Sequence, residues 1–139
     1  MIQRKQSLYL LLGAVALSVM FTLDGVLNGR AAESLIWFRP GLIASGAATA
    51  ILAVITIFLY ENRPLQQKLV LVTQVLDLIV IVLLVSGMML AGSLDLVGSG
   101  AVGRAAAIGM PFLAYLFFYL ARRGIRADIE LVRSMDRLR

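Results

Sequence analysis

The sequence contains no cysteine and no histidine. Without cysteine the chain forms no disulfide bond and offers no thiolate nucleophile or thiolate metal ligand. Without histidine it lacks the side chain that most often transfers protons near neutral pH. The sequence also has no Walker-type glycine loop, no Gly-x-Ser-x-Gly and no His-Glu-x-x-His motif. We therefore expect a protein that is not an enzyme, with no metal ion and no cofactor.

Charged residues are also scarce, at 15% of the chain, whereas 60% is hydrophobic. This composition lies outside the range of soluble globular domains. The apolar residues are concentrated in four stretches, each near the length of about 20 residues that crosses the hydrocarbon of a bilayer. The sequence predicts an all-α, four-helix transmembrane bundle surrounded by lipid, with spans at about 7–23, 41–60, 69–91 and 105–121.

The basic residues predict the orientation of these spans. The formal net charge is +5, but the Lys and Arg side chains flank apolar stretches instead of covering a folded face, which argues against nucleic-acid binding. Both ends of the chain and the turn between the second and third spans carry ten of them, and the two other loops carry three. The positive-inside rule then places both termini in the cytoplasm and the chain in the inner (cytoplasmic) membrane. The ten are Arg4, Lys5, Arg63, Lys68, Arg122, Arg123, Arg126, Arg133, Arg137 and Arg139.

Asp77 is the ionisable residue that lies deep within a predicted span. It follows Leu69 by eight residues, or about 12 Å along a helix. An unpaired carboxylate at that depth costs at least a few kcal/mol, so the group is paired, neutral or hydrated. Gln74 shares its helical face, and three fourth-span side chains are expected at a similar depth. The predicted polar cluster is Gln74, Asp77, Tyr115, Tyr119 and Arg122, with Thr73, Tyr9 and Lys5 nearby.

Two interpretations of Asp77 stay open. In the first, Asp77 relays a proton or cation across the membrane. In the second, it is a hydrogen-bonded clamp that fixes the register of the helices. A relay generally needs further ionisable groups along its path, and none follows between Leu78 and Leu94, which favours the clamp.

Small side chains predict where the helices approach one another closely, because such residues allow close backbone packing in membranes. In the second span these are Gly41, Ser45, Ala48, Thr49 and Thr56, and in the third they are Ser86, Gly87 and Ala91.

The segment 122–139 is predicted to be an amphipathic helix that continues from the fourth span. It contains six arginines and three acidic residues, a net charge of +3, and its apolar residues Ile125, Ile129, Val132 and Met135 recur at helical spacing. Such a helix lies either on anionic lipid or against a protein. The three acidic residues favour protein slightly.

The two ends of the chain carry a resemblance. The opening residues, MIQRKQSLYL, and the closing residues 128–139, DIELVRSMDRLR, resemble the ends of a bacterial family of small four-span membrane proteins that is classified as a domain of unknown function. The resemblance covers the whole chain in length and topology. It implies four spans and a membrane location, and it implies no activity, substrate or cofactor.

Because both ends are expected on the cytoplasmic side, we predict that they form one composite interaction surface, in which Arg4 pairs with Asp128, Glu130 or Asp136. The expected function is that of a non-enzymatic accessory, scaffold or complex subunit that binds a protein partner or a second copy of itself. The alternative is a small transporter or proton-coupled channel that uses Asp77. The predicted surface comprises Arg4, Lys5, Asp128, Glu130, Arg133, Asp136 and Arg137.

Overall fold

The computed structural model describes residues 2–23, 26–94 and 100–136, without the side chains of residues 2–4 and 136. Within these ranges the chain forms helices and no strand, so the predicted all-α fold is confirmed. The helices are Ile2–Thr22 (α1), Arg30–Ser34 (α2), Phe38–Phe58 (α3), Arg63–Leu90 (α4) and Ala101–Asp136 (α5).

Four of these helices are long and apolar enough to cross a membrane. The qualifying segments are Lys5–Thr22, Phe38–Phe58, Arg63–Leu90 and Ala101–Met135. Large apolar side chains on their outer faces are exposed, as expected where lipid tails replace water. The protein is therefore a multi-pass membrane protein, and the short helix α2 lies in the loop that joins the first two spans.

The four long helices form a ring in which each packs against the two beside it. Helix α1 packs against α3 and α5, and α4 also packs against α3 and α5. Within the described residues, the backbones of α1 and α4 make no close approach, nor do those of α3 and α5. Neighbours in the ring run in opposite directions, so α1 and α5 are antiparallel although they are far apart in sequence.

Glycines on three helices accept phenylalanine rings from neighbouring helices. In each case a Cβ atom at the glycine position would overlap the ring, so the two helices approach as closely as they do because no side chain intervenes. Such contacts stabilise helix association in lipid, where the hydrophobic effect does not drive helices together. The pairs are Gly13 with Phe118 of α5, Gly46 with Phe21 of α1, and Gly87 with Phe38 of α3.

Candidate functional site at the terminal face

One end of the bundle brings together the start of α1, the turn at residues 59–62 and the last third of α5; we call it the terminal face. The side-chain amide of Gln6 donates a hydrogen bond of 3.1 Å to Asp128 Oδ2. Arg63 Nη1 lies 4.0 Å from the same oxygen. Three helices, α1, α4 and α5, therefore meet at one carboxylate, and the two ends of the chain adjoin each other.

The position of Asp128 corrects the sequence-based expectation. Asp128 was expected on an exposed interaction surface, but it is only 9% exposed. It continues the buried stripe of α5, which includes Phe118, Ala121 and Ile125 at spacings of three or four residues. The face of α5 that packs against α1 within the membrane therefore carries Asp128 inward as well.

The rest of the predicted interaction surface divides into exposed and undescribed residues. Lys5, Glu130 and Arg133 are exposed. Within the described part of the chain, Glu130 forms no ion pair with Arg126 or Arg133. The predicted partners Arg4 and Asp136, as side chains, and Arg137 lie outside the described residues.

The start of α4 contributes a second contact at this face. Asn62 precedes the helix, and its side-chain oxygen accepts a hydrogen bond from the backbone N–H of Leu65 at 3.2 Å. Pro64 occupies the first turn, where its missing N–H costs nothing. One turn later the amide of Gln66 donates to the backbone carbonyl of Thr56 on α3 at 3.2 Å. The cap fixes where α4 begins, and Gln66 then joins α4 to α3.

Gln74 and Arg122, two members of the predicted polar cluster, are in contact. Arg122 Nη1 donates to Gln74 Oε1 at 3.3 Å, which links α5 to α4. The Nε atom of the same guanidinium is buried and has no hydrogen-bond partner in the described structure. Arg122 is thus held at one nitrogen and has a further donor unused.

Asp77 lies one helical turn deeper than Gln74 and is completely buried. Neither of its carboxyl oxygens has a hydrogen-bond partner among the described residues. Thr73, which shares its face, donates instead to the carbonyl of Leu69 in its own helix at 2.9 Å. In the described structure, Asp77 therefore does not clamp the helices together through hydrogen bonds.

The tyrosines of the predicted cluster do not join it. Asp77 accepts no hydrogen bond from either Tyr115 or Tyr119. Tyr115 is half-buried and Tyr119 is half-exposed on the outside of α5, because the inward stripe of this helix passes through Phe118. Tyr9 stacks against Phe117 with ring centroids 6.5 Å apart. The expected cluster is thus reduced to the contact between Gln74 and Arg122, and Asp77 lies one turn from Gln74 on α4 without a hydrogen bond to either residue.

The structure also shows a pocket that sequence reasoning did not identify. It is open to the surface, has a volume of about 200 Å³, and is lined by Tyr119, Arg122, Arg123 and Arg126. The sequence-based prediction assigned Tyr119 and Arg122 to the polar cluster, and Arg123 and Arg126 to the amphipathic segment 122–139. The signal that a pocket exists was the spacing of the arginines from Tyr119, which places all four side chains on adjoining rows of one helix.

The ring of four apolar helices defines a small, helical, multi-pass membrane protein. Among the described residues, no group of three or more acidic side chains is placed to hold a metal ion. The chain belongs to the family described as domain of unknown function DUF4293, whose profile matches residues 27–138. The matched range includes α2 to α5, and α1 lies before it. No curated protein and no solved structure matches the chain.

Proposed function

We propose that this protein is a non-enzymatic accessory subunit that binds a larger protein of a bacterial inner membrane through its terminal face. The distribution of Lys and Arg supports a cytoplasmic location for that face, since ten of the 13 belong to the two ends of the chain and the start of α4. The observation that carries the proposal is the projecting end of α5, residues 130–136.

The projecting end extends beyond the helices that surround it. Asp128 is level with Gln6 near the start of α1 and with Arg63 at the start of α4. Beyond this level α1 continues for four residues, to Ile2, and α5 continues for eight, to Asp136. At 1.5 Å per residue, α5 therefore extends about 6 Å farther than α1. Ile129 still packs against the core, whereas residues 130–135 are exposed.

Apolar side chains on this projecting end are exposed. Leu131 is 53% exposed, Val132 41% and Met135 55%. Burying such side chains contributes about 25 cal/mol per Å² of apolar surface. Glu130 and Arg133 accompany them, and this mixture of signs suits a protein groove with a charged rim better than an anionic lipid surface. The expected occupant is therefore a groove on another protein.

Site-specific photo-cross-linking tests this proposal. A photoreactive residue at Met135 of the full-length protein in native membranes is expected to give a discrete adduct with a larger protein, identifiable by mass spectrometry. The same residue at Leu113, an exposed position within span α5, is the control and is expected to contact lipid only. Absence of an adduct at Met135, or identical adducts at both positions, would contradict the proposal. An adduct of twice the chain mass would instead identify the partner as a second copy of this chain.

A second candidate function is a small transporter or proton-coupled channel. The observation that favours it is the buried carboxyl group of Asp77, whose two oxygens have no hydrogen-bond partner in the described structure. Ionisable residues inside membrane spans are retained mainly where they act on ions or protons. Liposomes containing the protein should then show pH-driven flux that Asp77→Asn abolishes and Ser86→Ala, on the same helix, preserves. Equal flux in empty liposomes would dismiss this candidate.

A further inference from the structure

The arginine pocket lies on a face of α5 that the bundle does not cover. Tyr119 is 50% exposed, and Arg123 and Arg126 are also exposed. The same face carries Phe112 and Leu116, which are 52% and 50% exposed. Residues 112, 116, 119, 123 and 126 follow one another at alternating spacings of four and three, so they form one continuous stripe.

The side chains of this stripe change from apolar to aromatic to basic along its length, in the same order as the acyl-chain, interfacial and phosphate layers of a bilayer. Phe112 and Leu116 lie within the apolar span and face the region of acyl chains. Tyr119 follows at the depth where aromatic side chains anchor helices to the headgroup layer. Arg122, Arg123 and Arg126 come next, where phosphate groups are expected. A single helix face thus presents an apolar track that ends in a basic pocket.

We propose that Tyr119, Arg122, Arg123 and Arg126 bind the phosphate-bearing headgroup of an anionic phospholipid, whose acyl chain lies along Leu116 and Phe112. A guanidinium group donates parallel hydrogen bonds to phosphate oxygens, a geometry that lysine does not offer. The pocket has a volume of about 200 Å³ and is open to the surface.

The guanidinium group of Arg122 is held in a fixed position within the proposed site. Its Nη1 atom donates to the buried Gln74, which fixes the guanidinium against α4. Its Nε atom is buried without a partner in the described structure, so a donor remains to be satisfied by a ligand. A buried donor left unsatisfied is costly, and a phosphate oxygen removes that cost.

Carboxylates do not neutralise this pocket in the described part of the chain. Asp128, the acidic residue nearest in sequence, faces Gln6 and Arg63 on the other side of α5. Glu130 is exposed one turn beyond Arg126 and does not line the pocket. In the described chain, none of the three arginines forms an ion pair with a carboxylate that would compete with an anionic ligand.

Lipid titration of the purified full-length protein in mild detergent, followed by native mass spectrometry, tests the proposal. Phosphatidylglycerol is expected to bind more tightly than phosphatidylcholine, and inorganic phosphate at the same concentration is expected not to displace it. The double variant Arg123→Gln/Arg126→Gln should weaken phosphatidylglycerol binding by about tenfold or more, because two charge-assisted contacts are lost. The matched control is Lys5→Gln/Lys68→Gln, which removes the same charge from exposed positions on α1 and α4 that do not line the pocket and should leave binding unchanged.

The outcomes separate this site from a general effect of charge. An equal loss in the two double variants would show that the net charge attracts lipid and would overturn the pocket. Equal affinity for phosphatidylcholine would overturn the requirement for an anionic headgroup. Displacement by inorganic phosphate would assign the pocket to a free anion instead. Thermal unfolding of each variant checks that the bundle is intact. Arg123→Lys keeps the positive charge but loses the paired donors of the guanidinium group, so its affinity for phosphatidylglycerol is expected to lie between those of the wild type and Arg123→Gln.

Discussion

Phe118→Ala is expected to lower the free energy of unfolding by about 2–3 kcal/mol. The Phe118 side chain is completely buried and fills the space that Gly13 leaves on α1. Truncation leaves a void of roughly 100 Å³, which at about 24 cal/mol per Å³ costs about 2 kcal/mol. The transfer contribution is smaller than in water because lipid tails are as apolar as the bundle interior. The loss of packing therefore dominates the effect.

Phe112→Ala is the matched control, since it makes the same chemical change on the same helix at a side chain that is half-exposed. Lipid fills the space that this truncation leaves, so the expected loss is below about 0.5 kcal/mol. Equilibrium unfolding of both variants in mixed micelles, followed by circular dichroism, measures the difference. Equal losses would show that the Phe118–Gly13 contact does not stabilise the α1–α5 interface.

Asp77→Leu is expected to raise the free energy of unfolding by about 1–3 kcal/mol, whereas Asp77→Asn should change it little. The reason is that both carboxyl oxygens are buried without hydrogen-bond partners in the described chain, and an apolar side chain of similar size removes this desolvation cost. The asparagine amide keeps polar atoms at the same place. The same unfolding assay measures both variants.

Thr73→Val serves as the control for this second prediction, because the Thr73 hydroxyl is satisfied by a backbone carbonyl of its own helix. Its effect should be small. Destabilisation by Asp77→Leu would restore the interpretation of Asp77 as a structural clamp. If the protein is more stable without Asp77, this residue lowers the free energy of unfolding of the natural chain. Such a loss of stability is typical of an ionisable group that serves an activity within the membrane.

The sequence predicts the four spans because hydrocarbon requires long apolar stretches, but it does not predict where the helices end. Helix α4 begins at Arg63, not at Leu69, and α5 begins at Ala101, not at 105. Hydropathy marks the thickness of the bilayer, whereas a helix continues into water until a capping signal ends it. For α4 that signal is Asn62 followed by Pro64, in a segment interpreted as a polar turn. The short helix α2 was not predicted.

The site was predicted in part, and the differences share one physical reason. The sequence predicted Gln74 and Arg122 in one cluster because the depth of a residue in the membrane follows from counting residues along each span. Which way a side chain points around the helix axis depends on the neighbours, and this decides the inward position of Asp128 and the outward position of Tyr119.

The same reason applies to the close contacts between helices. Thr49 and Thr56 from the predicted stripe of small residues are buried, whereas Ala48 is exposed. Gly46, which was not assigned to that stripe, packs against Phe21. A periodic pattern identifies a face that permits close approach, but only the packed structure shows which large side chain fills it.

Helix α5 is one uninterrupted element of 36 residues, about 54 Å from end to end. This length exceeds the roughly 30 Å thickness of bilayer hydrocarbon, so a single helix both spans the membrane and carries the exposed side chains near Met135 beyond it. Because the backbone of α5 stays helical through Pro111, the direction in which its exposed end leaves the membrane is set by the packing of the span itself.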